Sequence, residues 1–383
     1  MPVEVRSAEA NALMKLAIHG LRLSGPLTGV TRYLLSLLDE WKREPGMSDD
    51  ICVYTHRPLN KQQLIRLKET RYQALSMCIP YILAEQLLLP RKAKAADVLF
   101  CPAFTIPIGY RRPCVVTIHD TLLEVMPESF PFWARLRYAP LFRYSARHAT
   151  IVLTDSQSSK RDILRFYQVP EEKVRVTPLA AAPCFRLLQD RTVVEEARQR
   201  YGLGEDPFVL FVGKLSARRN IPMLLEAFSR TVGASNLPHR LVLVGVNHLH
   251  LPLQTLIART GLTRRVIHVE EISDEDLTAL YNAADTFVLP SLYEGFGLPP
   301  LEAMACGCPT ILFRNSSLAE VGGDAAAYPT SSDFAGLSET LRLVLTSGSL
   351  RQDLQARGLE RAKLFSWTRT ARQVRGALEE AAS

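Results

Sequence analysis

The chain of 383 residues lacks any hydrophobic run of the roughly 18 residues that a membrane-spanning helix requires. Its best stretch, residues 79–89, is broken by Pro80, Glu85 and Gln86. Residues 1–12 carry acids and no apolar centre, so no secretory leader is expected there. The seven cysteines (Cys52, Cys78, Cys101, Cys114, Cys184, Cys306, Cys308) are odd in number, scattered, and never spaced as Cys-x-x-Cys. That excludes a disulfide framework and a zinc knuckle, and leads us to expect a reducing cytoplasm. Cys306 and Cys308 read as small packing residues. The glycines after the first apolar run, Gly20, Gly25 and Gly29, do not follow Gly-x-Gly-x-x-Gly, which argues against a dinucleotide dehydrogenase. No metal constellation is visible: His248 and His250 have no third ligand nearby, and Asp274-Glu275-Asp276 reads as a helix cap. Nucleic-acid modules, internal repeats and low-complexity segments are also absent, so no nucleic-acid partner is expected.

Charge is present but unevenly spread. Residues 1–200 hold 29 Lys/Arg against 20 Asp/Glu, whereas residues 201–383 hold 17 against 19. A basic first half points to a polyanionic partner such as an anionic membrane surface or a phosphorylated substrate. Short apolar runs rich in Val, Ile and Leu recur at 16–19, 51–55, 98–101, 114–118, 151–154 and 174–177. A second set lies at 208–212, 240–245, 266–269, 286–289 and 309–313. Strands buried on both faces of a parallel sheet have this composition. Between them lie helical stripes, such as Leu277, Leu280, Tyr281 and Ala284, with Ser273 and Asp276 as a capping box. The fold class is therefore α/β, with two doubly wound, Rossmann-like domains facing across a cleft. We expect an N-terminal domain over 1–187, a C-terminal domain over 188–365, and a final capped helix in 366–383 with Trp367, Ala371, Val374 and Leu378 on one side.

The run from Pro290 to Ala305 concentrates the chemistry. Glu294 and Glu302 flank a strand-to-helix turn in which Gly295 and Gly297 permit close backbone approach to a ligand. Pro299 or Pro300 suits a helix start, whose free amides favour an anion. Glu302 is expected inside the first helical turn. Acids beside an anion site are suited to accept hydrogen bonds from hydroxyls, as on a sugar. In Gly213-Lys214-Leu215-Ser216-Ala217-Arg218-Arg219, the cations Lys214 and Arg219 stand at the two ends of a loop, placed to reach one anion. A diphosphate leaving group needs such charges. His119 ends an apolar strand, where it should face the cleft and bond a sugar hydroxyl.

The whole run resembles the signature of retaining glycosyltransferases of family 4, Glu-x7-Glu within Pro-Ser-x-x-Glu-Gly-Phe-Gly-Leu-Pro and Leu-Glu-Ala-Met-Ala-Cys-Gly-x-Pro. The resemblance extends from about Leu16 to the chain end and implies the GT-B fold, with the last helix crossing back to the first domain. It implies that Glu294 holds donor-sugar hydroxyls and that Glu302 accepts from the ribose. Lys214, Arg219, Gly213 and the backbone of Gly295, Phe296, Gly297 and Leu298 would cradle the diphosphate. His119 would face the sugar, and Gly29 would let the first domain close over the phosphates. Lys214 stands where the family commonly has Arg, and Arg219 where it has Lys, so donor orientation differs in detail.

The implied activity is metal-independent, retaining transfer of a sugar from a nucleotide-sugar to a glycan or polyisoprenyl-diphosphate-linked acceptor. No cofactor is implied. The members it most resembles act as mannosyltransferases for surface polysaccharide. The setting expected is cytoplasmic, peripheral at the inner face of an anionic membrane. Two other readings stay open at this point: a noncatalytic nucleotide-sugar-binding protein and a GT-B nucleotide-sugar epimerase. Donor base, transferred sugar and acceptor are not legible in the residues.

Overall fold

A computed structural model describes residues 14–25, 29–44, 50–67, 70–76, 78–247 and 251–383. His248 and His250 lie outside the described residues. The first sheet contains β1 (Lys15–His19), β2 (Asp50–Thr55), β3 (Tyr72–Ala74), β4 (Val98–Cys101), β5 (Cys114–Thr117), β6 (Ile151–Thr154) and β7 (Val174–Val176). Their spatial order is β3-β2-β1-β4-β5-β6-β7, with every pairing parallel. The second sheet contains β8 (Phe208–Val212), β9 (Arg240–Val244), β10 (Val266–Val269), β11 (Thr286–Leu289), β12 (Thr310–Leu312) and β13 (Ala326–Ala327). Its order is β10-β9-β8-β11-β12-β13, again all parallel.

Every expected strand forms, with ends shifted by a residue at most. Central strands such as β4, β5 and β8 are buried along their whole length, which explains their unbroken apolar composition. Two strands escaped the sequence reading. Both β3 and β13 are short sheet edges, and β3 has no fully buried residue, so neither needs an apolar run.

Of the helices, those that position the site are α1 (Gly29–Arg43), α2 (Phe132–His148), α3 (Gln157–Tyr167), α4 (Arg191–Arg200), α5 (Ile221–Ala234), α6 (Asp274–Ala283), α7 (Leu298–Ala305), α8 (Leu318–Gly322), α9 (Phe334–Thr346), α10 (Gly348–Lys363) and α11 (Trp367–Ala382). Ser273 caps α6 by accepting from the Asp276 amide. The Asp276 carboxylate does not return to the cap; it pairs with Arg200 and accepts from the Tyr201 hydroxyl, tying α6 to the end of α4.

The chain end folds against its beginning. Ser366 caps α11, which buries Trp367, Ala371, Val374 and Leu378 in one core with Leu16, Tyr33, Leu37 and Trp41. Trp41 Nε1 donates to the Ala371 carbonyl at 3.0 Å. Each large apolar side chain buried there contributes roughly 1.5–3 kcal/mol, so α11 is an integral part of the first sheet's packing.

In an open parallel sheet the ligand crevice lies at the carboxyl ends of the strands, where the order reverses. Those switch points fall between β1 and β4 and between β8 and β11. The loops leaving β5 and β6 meet the loops leaving β8 and β11, so the two crevices face each other. Several contacts hold them together. Arg32 of α1 forms a two-pronged pair with Asp274 of α6, at 2.9 and 2.6 Å. Glu320 of α8 accepts from the Gln157 and Ser158 amides that open α3, at 2.8 and 2.6 Å. A carboxylate at that helix start also meets the positive end of its dipole.

Candidate active site

Glu294 stands in the loop between β11 and α7. Gly297, with φ 112°, turns the chain into α7, and Pro299 occupies an early helical position where its missing N–H costs nothing. Ser316 and Ser317 fix the loop: the Glu294 amide donates to Ser316 Oγ, and Ser317 Oγ donates to the carbonyls of Glu294 and Phe296. The Phe296 side chain is buried against Phe365, so only its backbone faces the loop.

The Glu294 side chain is 9% exposed. It accepts from Ser291 Oγ at 2.8 Å and pairs with Arg218 Nη1 at 2.5 Å and Arg219 Nε at 3.2 Å. Burial favours its protonation, but the Arg219 and Arg218 charges outweigh that and hold the carboxyl below its ordinary range. Glu302 has the opposite balance. It lies one turn into α7, not in the first turn as expected. Its nearest partner is the Tyr281 hydroxyl at 3.3 Å, and burial pushes its carboxyl up to about 7 despite the charge of Arg32. Two carboxylates in one motif are thus held in different protonation regimes.

The two cations expected to reach one anion from opposite ends of the loop, Lys214 and Arg219, differ in their surroundings: Lys214 is exposed and Arg219 is buried. Asn220 takes a left-handed backbone at φ 56°, closing the single turn Ala217–Arg219 so that Arg219 points inward. Its guanidinium donates to the Val212 carbonyl at 3.0 Å and fills the space over Gly213. A Cβ built at Gly213, whose φ is 143°, would lie 1.3 Å from Arg219 Nη1. Gly213 is therefore required by Arg219 itself. Lys214 remains exposed. The cation that the sequence reading passed over is Arg218, which grips Glu294 and also donates to the Tyr293 carbonyl at 2.6 Å. The Arg-Arg doublet was the available signal; the turn decides which member meets the carboxylate.

His119 follows β5, with its side chain 12% exposed. Nδ1 lies 2.8 Å from Asp155 Oδ2 and Nε2 lies 2.9 Å from the Pro102 carbonyl. An ionised Asp155 and the Pro102 carbonyl both accept, so this geometry favours the protonated ring, in which both nitrogens donate. Burial opposes that charge, but Asp155 outweighs it and raises the His119 pKa. Both ring nitrogens thus have protein partners, and the expected ring contact to a sugar hydroxyl would require one of them to be released. Asp155, at the end of the neighbouring strand β6, was not foreseen. Gly29 opens α1, where an added Cβ would meet nothing within 4 Å. Pro26 to Thr28 of its loop lie outside the described residues.

His119 and the Glu294 loop touch across the cleft through backbone. Ser156 and Ser159 of the first domain donate to the Gly295 carbonyl at 2.7 and 3.0 Å. The Tyr293 hydroxyl sits 3.2 Å from Thr121 Oγ1 and donates to Asp162 at 2.9 Å. Among the described residues, no three His, Cys, Asp or Glu side chains gather as metal ligands.

Residues 193–361 match the family model described as glycosyl transferases group 1, and residues 27–181 match that of glycosyltransferase family 4. The O-antigen chain mannosyltransferase B of Escherichia coli is 32% identical over 381 residues, covering 94% of this chain and 98% of that protein. The chain is a family 4, group 1 glycosyltransferase. The MMP alpha-(1->4)-mannosyltransferase of Mycolicibacterium hassiacum is 30% identical to the glycosyltransferase over 282 residues, 70% of this chain and 66% of that one. Among solved structures, Anabaena Alr3699/HepE in complex with UDP-glucose superposes on the glycosyltransferase with a TM-score of 0.77 at 18% identity, over 96% of this chain and 100% of that one. WaaG, a glycosyltransferase involved in lipopolysaccharide biosynthesis, gives 0.74 at 17% identity over 95% and 99%. The glycosyltransferase has the GT-B fold, as its two facing parallel sheets require.

Proposed function

We propose that the enzyme transfers a sugar, mannose in the first instance, from a nucleoside diphosphate to a glycan or polyisoprenyl-diphosphate-linked acceptor in surface-polysaccharide synthesis. The transfer retains anomeric configuration and needs no metal. The observation that carries this reading is the buried Glu294 carboxylate, kept ionised by Arg218 and Arg219 at the β8/β11 switch point. An ionised acceptor of hydrogen bonds there suits donor-sugar hydroxyls. Glu302, beside Tyr281 and near Arg32, suits the ribose hydroxyls.

The charge developing on the departing diphosphate is met by Lys214, by the Arg218–Arg219 pair and by the amides at the start of α7. When protonated, His119 adds a positive charge from the first domain and acts by position, with its ring held by Asp155. The acceptor oxygen bonds to the anomeric carbon on the face from which the carbon–oxygen bond to the diphosphate breaks. The departing phosphate oxygen takes the acceptor proton. Closure of the two domains excludes water and protects the donor from hydrolysis. We place the enzyme at the cytoplasmic membrane face, where a lipid-linked acceptor would be met.

A melting panel with UDP, GDP, ADP and their sugars identifies the donor, because a ligand at about 100 times its Kd adds about 2.7 kcal/mol. Transfer assays with that donor then read the product anomer by NMR, with and without EDTA. An inverted product would overturn retention, and activity abolished by EDTA would overturn metal independence. Interconversion of the free donor without acceptor would point to an epimerase instead.

A further inference from the structure

Helix α2 carries large apolar side chains that no protein element covers. Phe132 is 74% exposed, Trp133 64% and Leu136 67%. At about 100° per residue, Phe132, Leu136 and Pro140 share one stripe with Arg143 and Arg147, and Trp133 flanks it. The opposite side of the helix buries Ala134 and Ser145 and half-buries the Phe142 ring, stacked on Phe104. Four arginines (Arg135, Arg137, Arg143, Arg147) stand exposed on α2, and its sequence contains no acid.

A second segment adjoins this face. The Gly109 amide donates to the Tyr144 hydroxyl of α2 at 2.7 Å, which anchors a loop bearing Ile108, 56% exposed. The Ile108 amide in turn donates to Gln86 at 2.7 Å, beside Leu87, 50% exposed. Arg111 and Arg112 follow on the same loop, also exposed. Two separate parts of the chain thus present bulky apolar tips rimmed by guanidinium groups.

We propose that this face seats on an anionic lipid bilayer, with Phe132, Trp133 and Leu136 entering the headgroup–acyl boundary and the arginines pairing with lipid phosphates. Apolar tips combined with an excess of basic charge, of which only Arg143 has an acidic partner among the described residues (Glu124, 3.6 Å), are the two components of interfacial membrane binding. A second copy of the chain is a poor occupant, because a self-complementary contact would set these arginines against their own counterparts with no acid on the helix. Among the described residues no helix is long and apolar enough to cross a membrane, so attachment through this face would be peripheral. The purpose of the attachment rests on the lipid-linked acceptor proposed above; the binding itself does not, and it is measured without catalysis.

The test uses the full chain with vesicles of phosphatidylcholine alone or with phosphatidylglycerol. Trp133 is the one exposed tryptophan, since Trp41 is 2% and Trp367 9% exposed, so its emission reports insertion. The expected result is a blue shift and co-sedimentation with the phosphatidylglycerol vesicles, both weakened by salt. The variant F132S/W133S/L136S should bind at least about tenfold more weakly, with unchanged melting temperature and unchanged nucleotide binding. Undiminished binding of that variant, equal binding to neutral vesicles, or no emission shift would overturn the proposal. So would a native dimer that the triple substitution converts to monomer, which would assign the face to a second copy.

Discussion

The backbone of Gly295 rests against the carbonyl of His119, so closely that an added Cβ would lie 2.4 Å from that oxygen. One residue belongs to the donor-side loop and the other to the first domain, which makes the missing side chain a condition of closure. Gly295→Ala should leave nucleotide binding by the second domain within about twofold while reducing turnover by roughly 10²-fold, the effect of an ångström-scale misplacement. Calorimetry with the nucleotide and single-turnover transfer would separate the two. Wild-type turnover in the alanine variant would show that this contact is not made during the reaction.

Removing the carboxylate of Glu294 has two consequences. Turnover should fall by roughly 10²–10³ if Glu294 supplies a preorganised contact to the sugar. Stability should fall too, by about 3–5 kcal/mol, because Arg218 and Arg219 are left buried without their partner. Glu294→Ala with denaturant unfolding and steady-state transfer assays measures both. A large stability loss with unchanged kcat would make the residue purely structural.

Glu302 gives a pH dependence with a definite sign. Its native carboxyl keeps its proton up to about 7, whereas the ordinary value is 4.5. Between those values the unfolded chain binds fewer protons than the folded one, so stability falls as pH rises through that window. The loss is on the order of 3 kcal/mol, complete above pH 7. Glu302→Gln should abolish it, which urea midpoints at pH 5 and pH 8 would reveal. Donor affinity should run the other way in the wild type, rising as the carboxylate forms. An affinity that is flat across this range would remove Glu302 from ribose recognition.

His119 should titrate above its ordinary 6.5, because Asp155 outweighs burial. The resulting stability is fully present below pH 6.5 and lost as pH rises through the elevated native value. Asp155→Asn removes the charge and leaves burial to dominate, so the titration should move below 6.5. Ring-proton NMR across pH follows the midpoint directly, and an unshifted midpoint in the variant would mean that Asp155 is not its source.

How much of this was readable beforehand depends on whether neighbours or geometry decide a residue's role. The buried strands were legible because a strand covered on both faces must be apolar throughout. Edge strands β3 and β13 were not, since one open side relaxes that demand. Glu294 and Glu302 were legible from their spacing around a turn. Their different protonation was not, because it follows from Arg218 and Arg219 on another loop and from the absence of comparable pairing at Glu302. The choice between Arg218 and Arg219 hangs on one left-handed residue, Asn220. His119 was visible at a strand end, but its partner Asp155 comes from the next strand, and only the β5–β6 pairing sets them side by side.

The packing of α11 on the first sheet also bears on how that sheet assembles. Trp41 and Ala371, joined by a hydrogen bond in one core, stand 330 positions apart in the sequence. Contacts of such separation close the longest loops and are intrinsically slow to form. Until α11 docks, the side of the first sheet that carries Leu37 and Trp41 keeps an uncovered apolar surface.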